Sequence, residues 1–273
     1  MKRIALLFAL ILCAAAQAAQ PSAADEQAAL RAATAYLNVR NGDLSGAWAA
    51  LPPSYRTAAS EAAAAFARRM DPQIWAQAQR AAVQAAASGT TKNVYLYRSL
   101  VARGYRFPWP EETSAGAVAR LCAKLGAVSQ AATLQRLGTG DLSGLLATPP
   151  LTMKGVTDRL APPAPLPTLS AHGRADGSVI VSAPGITPQR MVREEGVWVP
   201  DTVAEAFANR ATWKRDADAF RLRKEDRMKL MFLLPLLNEA AAGAGKAKSQ
   251  EEFDQIVGGF LSSLDGASDL LLP

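Results

Sequence analysis

The sequence predicts an α+β fold that is mainly α: a helical bundle with a small antiparallel β-meander, followed by C-terminal helices. Two observations carry this. Residues of the AVILMFWYC set make up 49% of the 273-residue chain but aromatics only 7%, so the apolar total leans on alanine, which favours closely packed helices. Between 169 and 200 that pattern gives way to short runs separated by Asp176-Gly177, Pro184-Gly185 and Glu195-Gly196, turn dipeptides at hairpin spacing. The apolar content suffices for a sizeable core and excludes disorder over most of the length. Two cysteines exclude a disulfide-stapled mini-fold, and a single histidine excludes a histidine-based metal site, so no cofactor is expected.

The chain opens with Lys2 and Arg3, an apolar run from Ile4 to Ala16, and the small-x-small sequence Ala16-Gln17-Ala18. This pattern reads as a signal peptide over 1–18, with the mature protein starting at Ala19 or Gln20 and placed in the periplasm or secreted. The run is shorter than the roughly 20 residues of a spanning helix, and Leu12 is too large for the residue before a lipidated Cys13. Removing the leader lowers the net charge from +6 to +4. Cys122 is then the only cysteine, so no internal disulfide is expected and the thiol reads as buried and inert.

A helical domain is expected over 19–160. Ser22 with Asp25 resembles a capping box and opens a helix carrying Leu30, Ala33 and Leu37 to Gly42. Pro52-Pro53 starts a second, with Tyr55, Ala59, Ala62, Phe66 and Met70 at helical spacing. Asp71-Pro72 is an N-cap followed by an N1 proline and begins a third helix, which the sequence would end at Gly89. Further helices are expected at Thr91 to Ala102 and Ser114 to Leu125, with Gly104 and Gly126 as C-caps, and a shorter one ending at Leu137-Gly138. Gly42-Asp43-Leu44-Ser45-Gly46 recurs as Gly140-Asp141-Leu142-Ser143-Gly144, each ahead of a Pro-Pro pair; the match is short enough to be a shared capping idiom. A proline-rich linker (161–168) leads into strands expected at Leu169 to Arg174, Ser178 to Ala183, Gln189 to Glu194 and Val197 to Val199. In the C-terminal segment (201–273), Ser249 with Glu252 forms a capping box ahead of Phe253, Ile256, Val257, Phe260 and Leu264.

Several phrases imitate catalytic motifs and fail on spacing. The repeated phrase puts serine one place too late for a nucleophile elbow. His172 stands alone in a strand, with no signature around it. Gly243-Ala244-Gly245-Lys246 lacks the first glycine and the final Ser or Thr of a phosphate loop, and reads as a loop between helices. Glu111-Glu112, Glu194-Glu195 and Asp216 with Asp218 are carboxylate pairs without partners, expected on solvated faces.

The basic excess has an address. Arg210, Lys214, Arg215, Arg221, Arg223, Lys224, Arg227 and Lys229 stand among Asp216, Asp218, Glu225 and Asp226. Two readings follow: a structural helix from Arg210 to Lys229 that pairs Lys214 with Asp218 and Arg221 with Glu225, or weak contact of these cations with an anionic membrane surface. Nucleic acid is not an expected partner, because export removes it. Met228 to Leu237, with Lys229 and Pro235 inside, reads as a kinked core helix.

Trp48-Ala49-Ala50-Leu51-Pro52-Pro53-Ser54-Tyr55, followed by Met70-Asp71-Pro72 and Trp75, resembles an uncharacterised family of exported bacterial helical proteins in which a Trp-x-x-Leu-Pro-x-Ser-Tyr phrase precedes a Met-Asp-Pro helix start. The resemblance implies an exported helical fold and no reaction. Read from the residues themselves, Trp48, Leu51, Tyr55 and Trp75 are core anchors between helices. The meander ending in Gly196-Val197-Trp198-Val199 is similar to the last strands of cone-shaped folds related to nuclear transport factor two, which host enzymes and binding modules alike. The function expected is an exported, non-catalytic binding or interaction protein whose partner is an unknown protein or small ligand of the cell envelope. The alternative is an envelope hydrolase using carboxylates or a serine.

Overall fold

A computed structural model of the protein describes residues 20–150, 163 and 165–259. The expectations for the leader, Cys13, Phe260 and Leu264, and most of those for the proline linker, lie outside the described residues.

The first helix, α1 (Ala23–Leu37), starts on the expected capping box: the Ser22 hydroxyl accepts from the Asp25 amide at 3.2 Å, and the Asp25 carboxylate accepts from the Ser22 amide at 3.1 Å. A 3-10 turn (Asn38–Asn41) and Gly42 lead to α2 (Leu44–Ala49), and α3 (Pro53–Ala67) begins at the proline pair. Next come α4 (Pro72–Thr91), α5 (Asn93–Ala102), α6 (Glu111–Ala131), α7 (Leu134–Gly138) and α8 (Leu142–Leu146). Asp71 caps α4 as expected, accepting from the amides of Gln73 and Ile74 at 2.9 and 3.2 Å.

Both copies of the repeated phrase adopt one geometry. Gly42 and Gly140 are left-handed (φ 87° and 72°), and Asp43 and Asp141 each accept from a glycine amide, Gly46 or Gly144, at 2.8 Å. A Cβ at Gly42 would sit 3.2 Å from the Arg120 carbonyl oxygen, and one at Gly140 would sit 3.3 Å from that of Ser60. Glycine is therefore required there twice over, by the turn and by the neighbouring helix.

The sheet is the meander that the turn dipeptides predict: β1 (Ser170–Gly173), β2 (Val179–Ala183), β3 (Ile186–Glu194) and β4 (Val197–Pro200), antiparallel in sequence order. Helix α1 lies on one face, where Ala29 and Ala33 pack against Val179, Val181, Met191 and Trp198. Alanine on the helix brings the backbone close, and the large side chains come from the sheet. The chain then forms α9 (Asp201–Ala206), α10 (Arg210–Ala219) and α11 (Lys224–Lys246), and the description ends in a helical stretch at 250–259. That stretch starts on Ser249, whose hydroxyl accepts from the Glu252 amide at 3.1 Å.

Four expectations about helix limits are corrected, three of them through glycine. Helix α4 runs on to Thr91, and Gly89 lies inside it, where an added Cβ would come 2.7 Å from Cys122 Sγ. Helix α6 continues past Leu125 to Ala131, with Gly126 buried mid-helix beside Ala123 and Ala127. Residues 243–246 are the last turn of α11 rather than a loop, and a Cβ on Gly245 would meet Ser88 Oγ at 2.7 Å. Gly89 and Gly245 serve close approach between helices, and Gly126 is buried within its own helix; a local reading mistakes all three for helix ends or loops. The fourth correction is that Arg210 to Lys229 is not one helix: residues 220–223 separate α10 from α11.

Candidate functional site

Helix α4 lies between α6 on one side and α11 on the other. Its α11 side presents Ala78, Ala81, Ala82 and Ala85, and α11 answers with Ala240, Ala241 and Ala244. Small residues on both sides of a seam leave space unless the backbones close it. They are tied where Ser88 donates to the Ala241 carbonyl at 2.6 Å beside Gly245. The rest of the seam holds a cavity of about 510 Å³, closed further by Leu234, Leu237 and, from 250–259, Phe253 and Ile256. Its volume falls within the roughly 300–1,000 Å³ typical of small-molecule sites. Among the described residues Ser88 is the only polar side chain in the lining, and its hydroxyl is already committed to Ala241. The space therefore offers dispersion contacts to an apolar guest and nothing that would orient a polar one.

The basic residues are largely tied to the body. Arg210 lies over the Tyr55 ring with its guanidinium carbon 4.5 Å from the centroid, donates to the Ser54 hydroxyl at 3.2 Å and the Phe207 carbonyl at 3.2 Å, and reaches Glu195 at 3.7 Å. Lys214 pairs with Glu61 on α3 at 3.8 Å, Arg215 with Asp216 at 3.2 Å, Arg223 with Asp226 at 2.7 Å, and Arg227 with the α4 cap Asp71 at 3.2 Å. Arg221 donates to the carbonyls of Asp218 and Phe220. Lys224 is exposed and Lys229 half-buried. The expected Lys214–Asp218 and Arg221–Glu225 pairs are replaced: within α10, Lys214 turns to Glu61 of α3 and Asp218 to Arg68 at 3.2 Å, and Arg221, in the break at 220–223, is taken by backbone carbonyls.

The Trp48 to Tyr55 phrase marks the joint between helices and sheet. Tyr55 is buried and stacks on Phe207 with centroids 4.5 Å apart, and Phe207 packs on Trp213 at 4.8 Å. Trp48, Leu51 and Trp75 are only half-buried, so the core reading holds in full for Tyr55 alone; Trp75 spends its indole N–H on the Ala132 carbonyl at 2.7 Å. The sequence reading missed Ser54. Its hydroxyl donates to Glu195, and its amide donates to the same carboxylate at 3.3 Å. Glu195 sits in the β3–β4 turn with φ 52°, a left-handed conformation unfavourable for glutamate, so it reaches a helix N-terminus at some backbone cost. The Ser54 hydroxyl, more than any other contact, holds Glu195 below the usual carboxylate range.

That cluster does not read as a nucleophile. A carboxylate whose proton affinity is lowered is a weak base, and the helix amide that could hold an oxyanion already serves Glu195. Ser99 with Asp254 and Ser178 with Asp176 repeat the pattern as ties between or within elements. His172 is exposed on edge strand β1. Glu111 pairs with Arg98 at 2.6 Å. Among the described residues no group of three or more His, Cys, Asp or Glu is placed to hold a metal ion, and no helix is long and apolar enough to cross a membrane. No protein-family model matches the chain, and neither a curated protein nor a solved structure matches it.

Proposed function

We propose that this is an exported, non-catalytic binding protein whose ligand is apolar, in the manner of a lipid acyl chain, and sits between α4 and α11. One observation carries the reading: a cavity of about 510 Å³ lined by alanine, leucine and phenylalanine, with no uncommitted polar side chain among the described residues. The charged leader pattern at Lys2 to Ala18 supports export, and the serine–carboxylate contacts, being structural ties, weigh against the hydrolase alternative.

The test is made on the full chain expressed with its leader. Amino-terminal sequencing of the exported form is expected to give Ala19 or Gln20. Solvent extraction of the purified protein followed by mass spectrometry is expected to release an apolar molecule, and a naphthylamine fluorophore should bind saturably and be displaced by palmitate. Ala81→Leu with Ala241→Leu should weaken the fluorophore by about tenfold or more, a loss of about 1.4 kcal/mol. Nothing extracted together with no saturable fluorophore binding, from protein of native circular dichroism, would sink the reading.

A further inference from the structure

The outer face of α11 makes a different statement from its inner face. Met228, Phe232 and Leu236 follow one another at four-residue spacing, which places them in one stripe. They are 57%, 68% and 45% exposed, with Met231 beside them at 39%. The expectation of a core helix over Met228 to Leu237 thus holds for Leu234, which is 7% exposed, and fails for the opposite side. Soluble surfaces tolerate scattered apolar residues, but a stripe containing the most exposed phenylalanine of the described chain, alongside a methionine and a leucine, needs a partner.

The charges around the stripe indicate which partner. Arg221, Arg223, Lys224, Arg227 and Lys229 stand at its N-terminal end against Glu225 and Asp226; Arg223 pairs with Asp226 and Arg227 with Asp71, while Lys224 is exposed. Only Glu239 adds an acid further along the exposed face. A helix with an apolar stripe beside excess cations suits a layer of anionic headgroups over hydrocarbon, where the stripe enters the acyl boundary and the cations stay with phosphate. Four side chains interrupted by Pro235 fall well short of the roughly 800 Å² per partner of a stable protein interface. We infer that the outer face of α11 docks peripherally on an anionic phospholipid bilayer through Met228, Phe232 and Leu236, with the exposed Lys224 on the headgroups. This rests on the exposed face alone and stands whether or not the inner cavity takes a ligand.

Co-sedimentation of the full mature chain with vesicles tests it, using phosphatidylcholine alone and phosphatidylcholine mixed in equal parts with phosphatidylglycerol. Binding is expected only to the mixed vesicles and should fall steeply between low and physiological ionic strength. Phe232→Ser with Leu236→Ser should reduce association by about tenfold or more, because the lost burial exceeds about 1.4 kcal/mol. Lys224→Gln should cost about fivefold. Both sites are exposed, so native circular dichroism and unchanged fluorophore binding in the cavity are expected, which separates failure here from failure of the ligand reading. Absence of binding to mixed vesicles at low salt would overturn the inference. So would binding indifferent to the serine substitutions, or a dimer in sedimentation equilibrium that those substitutions dissolve.

Discussion

Two apolar seams in this protein are built on alanine, and only one is filled. Where α1 crosses the sheet, Ala29 and Ala33 meet Met191, Trp198, Val179 and Val181, and all six are at most 4% exposed. Where α4 meets α11, Ala81 meets Ala241 and Ala244, and about 510 Å³ remains. The difference shows that alanine on one element sets only how near its partner can come. Whether the gap fills depends on the partner's side chains, which the sheet supplies and α11 withholds. A core closed in this way is a stability device; an unfilled seam gives up dispersion energy unless something else occupies it.

The largest test of that contrast is to open the closed seam. Met191 is fully buried and packs among Ala29, Val181 and Trp198. Met191→Ala should cost about 2–5 kcal/mol, since neighbours relax only partly into the void. Urea unfolding followed by circular dichroism reads this directly. A loss below about 1 kcal/mol would mean that the sheet seam collapses as easily as a loose one and that the comparison is empty.

The four-strand meander, the caps at Ser22, Asp71 and Ser249, and the α+β order were legible because each rests on chemistry within a few residues of itself, though β3 begins at Ile186 rather than at the expected Gln189. Glycine was the first point of failure. Gly89, Gly126 and Gly245 have the same local appearance as helix ends, and for Gly89 and Gly245 only the helix lying across each explains its position. The cavity was illegible for the same reason: an alanine stripe announces close packing and carries no record of whether the opposing stripe is also alanine. The Trp48 to Tyr55 phrase stood out, yet the use of Ser54 depends on Glu195, far along the chain. The exposed side of α11 could not be read from an apolar run in which both faces are hydrophobic.

A smaller effect sharpens the contrast by making one substitution in both seams. Ala33 is fully buried against the sheet, and Ala33→Leu inserts a branched side chain where no volume is free, at about 1–3 kcal/mol. Ala81 is also buried, at 6% exposure, but its methyl group lines the cavity. Ala81→Leu should leave stability within about 0.5 kcal/mol of the parent or raise it, because the added methylenes gain contacts at little strain. Thermal melts of the two variants should therefore move apart. Equal losses would indicate that α4 and α11 close up in solution and that the cavity does not persist.

An effect confined to high pH concerns the other side of α4, where Gly89 lets Cys122 of α6 approach. Burial pushes this thiol from its ordinary 9.0 up to about 11. Below pH 9 the folded and unfolded chains both keep the proton, so the group contributes no pH dependence. Between about 9 and 11 the unfolded chain ionises while the folded one does not. Unfolding then releases a proton, and stability falls with rising pH by roughly 2 kcal/mol across the window. Cys122→Ala should remove that slope, seen as urea midpoints that converge toward the parent's as pH rises from about 8 to about 10.5. Alkylation by iodoacetamide gives the same answer kinetically, because only the thiolate reacts. In a Cys122→Ala background, Ala82→Cys places a thiol at an exposed position on the cavity's side of α4, and it should label at least about tenfold faster than Cys122 at the same pH. Equal labelling rates would mean that the α4–α6 side is as accessible as the α4–α11 side, and the two faces of α4 would no longer differ in the way their packing implies.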